Sequence, residues 1–155
     1  MKNIFLSLFF ALALTIPKLG LAQEQDTTLN VVDDIQFDLH SVTTSGDSLV
    51  IDVFVISYDK NPREFRLNVF ASAIIDSEEQ SHMLTTAQMD RVIVNLDDRQ
   101  NYLNFLLHQD KPAAIKIKLS PLTEEIKQAK LLKLVFNALD DEGQFLEAYI
   151  DLDKE

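Results

Sequence analysis

The chain has 155 residues, 25 acidic against 14 basic, a net charge of −11, and neither cysteine nor tryptophan. Without cysteine there can be no disulfide framework, no lipobox anchor and no thiolate zinc site. The acidic balance repels phosphate backbones and anionic headgroups, so a nucleic acid is not an expected partner, whereas a basic protein is.

Met1-Lys2-Asn3 is a short basic start, and Ile4 to Ile16 is an uncharged apolar run. Gly20 and Ala22 then set small residues where a signal peptidase reads. This is the layout of a secretory signal, and the run is too short to span a membrane comfortably. The expected organisation is a signal peptide over 1–22, a flexible polar leader over 23–30 and a folded domain over 31–155. Cleavage removes Lys2 and Lys18 but no acid, so the exported chain of 133 residues carries about −13. It is expected in the periplasm or outside the cell, and no later segment is apolar enough to cross a bilayer.

From Val31 the sequence alternates apolar and polar with period two, which predicts half-buried strands. Ile35, Phe37 and Leu39 share a face opposite Gln36, Asp38 and His40. Thr44 to Asp47 turns. Leu49 to Ile56 is apolar on both faces except at Asp52, so it reads as a central strand. Asp59 to Pro62 turns again. Phe65, Leu67, Val69, Ala71, Ala73 and Ile75 then read as one face of a single long strand. Asp76 to Ser81 is a polar loop and His82 to Thr86 a short strand, although Thr85 to Gln88 also resembles a capping box that would open a helical turn. Val92, Val94 and Leu96 alternate. After a turn at 97–100 so do Leu103, Phe105 and Leu107, up to the break at Lys111-Pro112. Ile115, Ile117 and Leu119 alternate with Lys116, Lys118 and Ser120. Residues 121–129 form a connector with room for one helical turn. Leu132, Leu134, Phe136 and Ala138 face inward. Asp140 to Gly143 closes a hairpin that sets Leu146, Ala148, Ile150 and Leu152 against them.

Eight or nine short antiparallel strands without a long helix predict a single all-β domain, a β-sandwich or a barrel. Leu49 to Ile56, the strand ending Ala73-Ile74-Ile75-Asp76, the break at Lys111-Pro112 and the paired strands around 115–119 and 131–136 resemble the exported, immunoglobulin-like (telokin-like) β-sandwich domains of bacteria. The resemblance covers roughly residues 35–136. It implies a sandwich with an accessory role in the cell envelope, and it carries over no catalytic residue.

Chemistry is sparse. His40, His82 and His108 stand in or beside separate strands, with no nucleophile motif near them. The acidic pairs Asp97-Asp98, Asp140-Asp141-Glu142 and Asp151-x-Asp153 fit turns better than calcium loops, since aspartate bonds the backbone ahead of it. No catalytic residue, metal ligand or cofactor is assigned. On the last strand, the residues between the inward ones are Phe145, Glu147, Tyr149 and Asp151. An outward aromatic–acidic stripe suits a basic protein partner. The competing role is cross-strand cover, with Lys116, Lys118 and Lys133 meeting Glu147 and Asp151. The expected function is a non-catalytic binding or structural module. The alternatives are a hydrolase using surface carboxylates, or an acidic inhibitor of a basic secreted enzyme that would use Asp76 to Ser81 as its loop.

Overall fold

The computed structural model describes residues 30–141 and 143–153. The expected signal peptide over 1–22, residues 23–29 of the expected leader, Glu142, Lys154 and Glu155 lie outside them. Twelve strands run in chain order: β1 (Val31–Val32), β2 (Ile35–Thr44), β3 (Leu49–Ser57), β4 (Arg63–Asn68), β5 (Ala73–Asp76), β6 (Ser81–Met83), β7 (Thr86–Met89), β8 (Val92–Asn95), β9 (Tyr102–Leu107), β10 (Ala113–Leu119), β11 (Ala129–Asn137) and β12 (Phe145–Asp151). Among the described residues the only helices are two three-residue 3-10 turns, Leu96–Asp98 and Ile126–Gln128.

The fold is all-β, with two antiparallel sheets in a sandwich-like arrangement. The first has the order β1-β2-β3-β10-β7-β8. In the second, β11 carries β12 on one edge and both β5 and β4 on the other; β6 and β9 then pair with β5 and β4. One core joins the sheets. Ile51, Val53 and Val55 of β3 and Ile115 and Ile117 of β10 meet Phe65, Leu67, Leu132, Leu134 and Ala148 from the second sheet. Phe37 bridges the layers, with its ring 5.3 Å from Phe136 and 6.4 Å from Phe65, while the rings of Phe65 and Phe136 are 5.5 Å apart. Tilted contacts of this kind add to the burial of the rings themselves. In a chain without disulfides, packing of this sort is what holds the sheets together.

β3 keeps the central position its apolar run predicts, and the β11–β12 hairpin has the expected register: Leu132 lies opposite Ile150, Leu134 opposite Ala148 and Phe136 opposite Leu146. Other expectations need correction. The strands number twelve rather than eight or nine, because short pieces such as β1 and β6 pair on their own. The run His82 to Thr86 is split between two strands on different sheets, β6 on the second and β7 on the first, with Leu84 fully buried at the crossing. Thr86 to Met89 is strand rather than a helical turn, because its backbone completes a ladder with β10.

The single long strand through Phe65 and Ile75 is broken. Phe136 lies opposite Leu67, and Leu132 opposite Ile74, so four residues along β11 correspond to seven along its partner. Three extra residues loop out between Asn68 and Ala73. An odd insertion reverses the side-chain parity of a strand. Ile74 therefore enters the core, and Ala73 and Ile75 turn to the outer face.

The loop is stitched by side chains. The Asn68 carboxamide oxygen accepts the Ala71 N–H at 3.1 Å, and the Asn68 carbonyl accepts the Ser72 N–H at 3.0 Å and its hydroxyl at 2.8 Å. The fully buried Ser72 Oγ in turn accepts the Val135 N–H at 2.9 Å. It supplies the acceptor that the interrupted ladder lacks.

A second tie closes the end of the sandwich. Asp33 and Asp34 both have positive φ, 53° and 56°, as a two-residue hairpin loop between β1 and β2 requires. The guanidinium of Arg63, 2 % exposed, donates to the Asp33 carbonyl and carboxylate, and to Asp59 Oδ2 at 3.2 Å. The same Asp33 carboxylate accepts the Leu139 N–H at 3.0 Å. One cation thus links the β1–β2 hairpin, the β3–β4 loop and the chain leaving β11.

Ser72→Ala leaves the Val135 N–H buried without its acceptor. It is expected to cost about 1–3 kcal/mol in denaturant melts, the usual penalty for an orphaned buried donor. A stability equal to wild type would show that the hydroxyl does not bridge the gap.

Candidate interaction face

The outer face of the second sheet can be followed row by row through its registers. In one row Tyr149 of β12 lies beside Lys133, Lys133 beside Ala73, and Ala73 beside Met83. In the next, Asp151, Leu131, Ile75 and Ser81 are neighbours. Glu147 lies opposite Val135, and Phe145 opposite Asn137. Phe70 projects from the three-residue loop with 59 % of its surface exposed; Met83 is 50 % and Tyr149 45 % exposed. A sandwich normally turns polar side chains outward. Here Phe70, Met83, Tyr149 and Phe145 are exposed and Ile75 and Leu131 half-buried, so the outer face carries more apolar surface than a sandwich's solvent side usually does.

Phe145, Glu147, Tyr149 and Asp151 are all exposed on the outward side of β12, while Ala148 and Ile150 are buried. Part of this stripe is engaged within the chain. Phe145 stacks on Tyr102 with centroids 6.2 Å apart, and the Arg66 guanidinium lies 4.0 Å from the Tyr102 ring centre. The Tyr149 hydroxyl donates to Glu147, and Lys133 Nζ is 3.6 Å from the same carboxylate. The hydrogen bond from Tyr149, and then the charge of Lys133, hold the Glu147 carboxyl below its ordinary range. The same bond pushes the Tyr149 phenol up. The expectation that Lys116 and Lys118 also meet these acids is corrected: both stand on β10 in the other sheet, where Lys116 pairs with Asp52 at 3.7 Å. The apolar residues beyond the stripe, Leu131, Ile75 and Met83, were not anticipated, although Lys130 to Phe136 (KLLKLVF) carries apolar residues on both faces and so held part of the signal.

At one corner of this face the β5–β6 turn is wound around Asp76. Its carboxylate, 3 % exposed as a residue, accepts from His82 Nε2 at 2.7 Å and from the N–H groups of Glu78 and Gln80 at 2.8 and 2.9 Å. The His82 bond first, and then Gln80, hold this carboxyl below its ordinary value. Asp76 to Ser81 is therefore a tight turn, with Glu79 in the left-handed region at φ 64° and Glu78 and Glu79 exposed.

A groove of about 430 Å³ lies between the end of β9 and the start of β10, lined by Phe105, Leu106, Leu107, Ala113, Asp90, His108 and Lys111 among others. It brings in one histidine and one carboxylate. His82 is bound to Asp76, and His40 packs on Phe54 with centroids 4.8 Å apart, so the three histidines stay on separate elements. Among the described residues no three His, Cys, Asp or Glu side chains gather where they could hold a metal ion. The acidic turns are spent on backbone and neighbouring groups: Asp151 Oδ1 accepts the Asp153 N–H at 3.0 Å, and Asp98 accepts from Asn95 at 3.0 Å. No helix of the described residues is long and apolar enough to cross a membrane. Compared with known proteins, the chain matches no family model, no curated protein and no solved structure.

Two outcomes follow from this geometry. Ile150→Asp buries an unpaired charge and should cost several kcal/mol, whereas Tyr149→Asp should cost no more than about 1 kcal/mol of cross-strand packing. Equal losses in denaturant melts would put the hairpin register wrong by one residue. Secondly, the Asp76 carboxyl has a lower pKa folded than unfolded, so its stabilising effect is complete above the ordinary carboxylate value near 4 and is lost as the pH falls through the lowered value. Asp76→Asn should flatten that acid limb in a series of thermal melts from about pH 5 to pH 2. An unchanged limb would remove Asp76 from the acid response.

Proposed function

We propose that this chain is a non-catalytic, exported binding module of the bacterial cell envelope, with an immunoglobulin-like sandwich, and that the outer face of its second sheet takes a basic protein partner. The single observation that carries the reading is the set of exposed apolar side chains, Phe70, Met83 and Tyr149, on a surface that a free-standing sandwich would keep polar. The acids beside it give the sign of the partner. Glu147 is held ionised, Asp151 has no ion-pair partner among the described residues, and the chain as a whole is at −11. Aromatic area flanked by acids favours arginine and lysine, which stack on the rings and pair with the carboxylates.

The strand order supports the immunoglobulin-like part of the reading. β2-β3-β10-β7 opposite β12-β11-β4 follows the sequence A-B-E-D opposite G-F-C, with β4 and β5 together in the C place. The Phe65–Phe136 contact joins the strands in the C and F places, where antibody domains pack a tryptophan against a disulfide.

Crosslinking in the native envelope tests the function. Wild type should capture a protein with a basic surface. Met83→Asp and Tyr149→Asp should stay folded, with melting temperatures lowered by no more than several degrees, and lose at least about tenfold of that capture, as substitutions at contact centres do. Capture undiminished in both variants, or capture of acidic proteins alone, would overturn the reading.

A further inference from the structure

A different part of the molecule points to a second kind of contact. β9 is an edge strand: it pairs with β4 alone. The Val69 N–H donates to the Asn101 carbonyl, which sets the phase of that ladder. Leu103, Phe105 and Leu107 therefore exchange hydrogen bonds with β4, and the N–H and C=O groups of Tyr102, Asn104 and Leu106 point to the free edge. None of those groups has a partner among the described residues.

Exposed edges are usually guarded by charge, proline, a bulge or shortness. The other edges of this molecule are guarded. β12 carries Glu147 and Asp151, and the Asn30 side chain donates to its Tyr149 carbonyl. β1 has two residues and β6 three, and β8 has four between Arg91 and Asp97. β9 is six residues long, Tyr-Leu-Asn-Phe-Leu-Leu, with no charge, no proline and no bulge. Leu106 is 51 % exposed, and the groove beside Phe105 to Leu107 leaves the inner side of this end open as well.

We infer that the β9 edge is a dimerisation edge, occupied by β9 of a second copy in antiparallel pairing about a two-fold axis through Asn104. The occupant is set by charge and by register. In a strand added beside β9, every second side chain comes to lie against Leu103 and Phe105, and a charge buried at those positions would be unpaired. In this strongly acidic chain β9 is free of such charge. Pairing about Asn104 sets amide opposite amide and Leu106 opposite Tyr102 of the second copy. The contact is isologous, as a closed dimer requires, and adds about six backbone hydrogen bonds. Like net charges oppose the approach, so this association strengthens as salt screens them. The basic-partner contact on the outer face of the same sheet weakens with salt, which separates the two.

Sedimentation equilibrium of the purified protein, from micromolar to submillimolar concentration, tests this. A reversible dimer that tightens as salt is raised is expected. Asn104→Lys puts two like charges together at the axis and should weaken the dimer at least about tenfold at an unchanged melting temperature. Because the chain has no cysteine, Asn104→Cys gives a clean probe: the pair sits about 5.5 Å apart between Cα atoms, within disulfide range, so mild oxidation should yield a covalent dimer. Asn61→Cys, on the exposed β3–β4 turn, should stay uncrosslinked. A monomer at every concentration and salt, a dimer indifferent to Asn104→Lys, or equal crosslinking at Asn61→Cys would each overturn the inference.

Discussion

One hydrogen bond carries a disproportionate part of this structure. β11 is held along one edge by β12 and along the other by two strands set end to end, β4 and β5, with three residues too many between them. Where the ladder fails, the Ser72 hydroxyl receives the Val135 N–H and passes its own hydrogen to the Asn68 carbonyl. The extra residues can then loop out without leaving a donor bare in a buried place. The odd insertion changes the parity of β5. Ile74 goes into the core, Ala73 and Ile75 go out, and Phe70 is left on the loop. The placing of Ala73 and Ile75 beside Lys133 and Leu131 on the outer face is a consequence of that change.

Much of the fold was legible because alternation with period two states which residues share a face. β3, β10 and the β11–β12 hairpin follow it closely, and the aspartate and glycine residues at 140–143 announce their turn. The long strand misled for a physical reason. Phe65, Leu67, Val69, Ala71, Ala73 and Ile75 keep perfect alternation through a stretch where the backbone does not, and the residues that break it, Asn68 and Ser72, are ordinary in a strand. The contact between Ser72 and Val135 spans 63 residues of sequence. No local pattern encodes it. The same holds for Arg63, which reads as a surface charge at a strand start and instead is buried between Asp33 and Asp59.

The stripe on β12 was legible in its facing, and half of its setting was not. Its outward parity follows from the hairpin alone. That Phe145 stacks on Tyr102, or that Tyr149 lies in a row with Met83, depends on which strands lie next to β11. The two ties have different characters. The Phe37, Phe65 and Phe136 cluster is non-directional and tolerates small shifts. The Arg63 network is directional: the buried guanidinium is held in place by both Asp33 and Asp59, and removing both acids would leave a buried cation without a partner. Together they hold two sheets in register at one end without a disulfide, which leaves the outer surfaces free to be specialised.

The bridging role of Ser72 is most directly read by amide hydrogen exchange at Val135, the one N–H of β11 whose acceptor is a hydroxyl on a loop. Val135 should exchange as slowly in the wild-type protein as its strand neighbours Lys133 and Leu134. In Ser72→Ala it should accelerate by at least about tenfold while Leu134, bonded to β12, stays protected. A Val135 amide that exchanges at loop rates in the wild type would mean that the ladder is simply broken there, and that the outer face is not set in the way described.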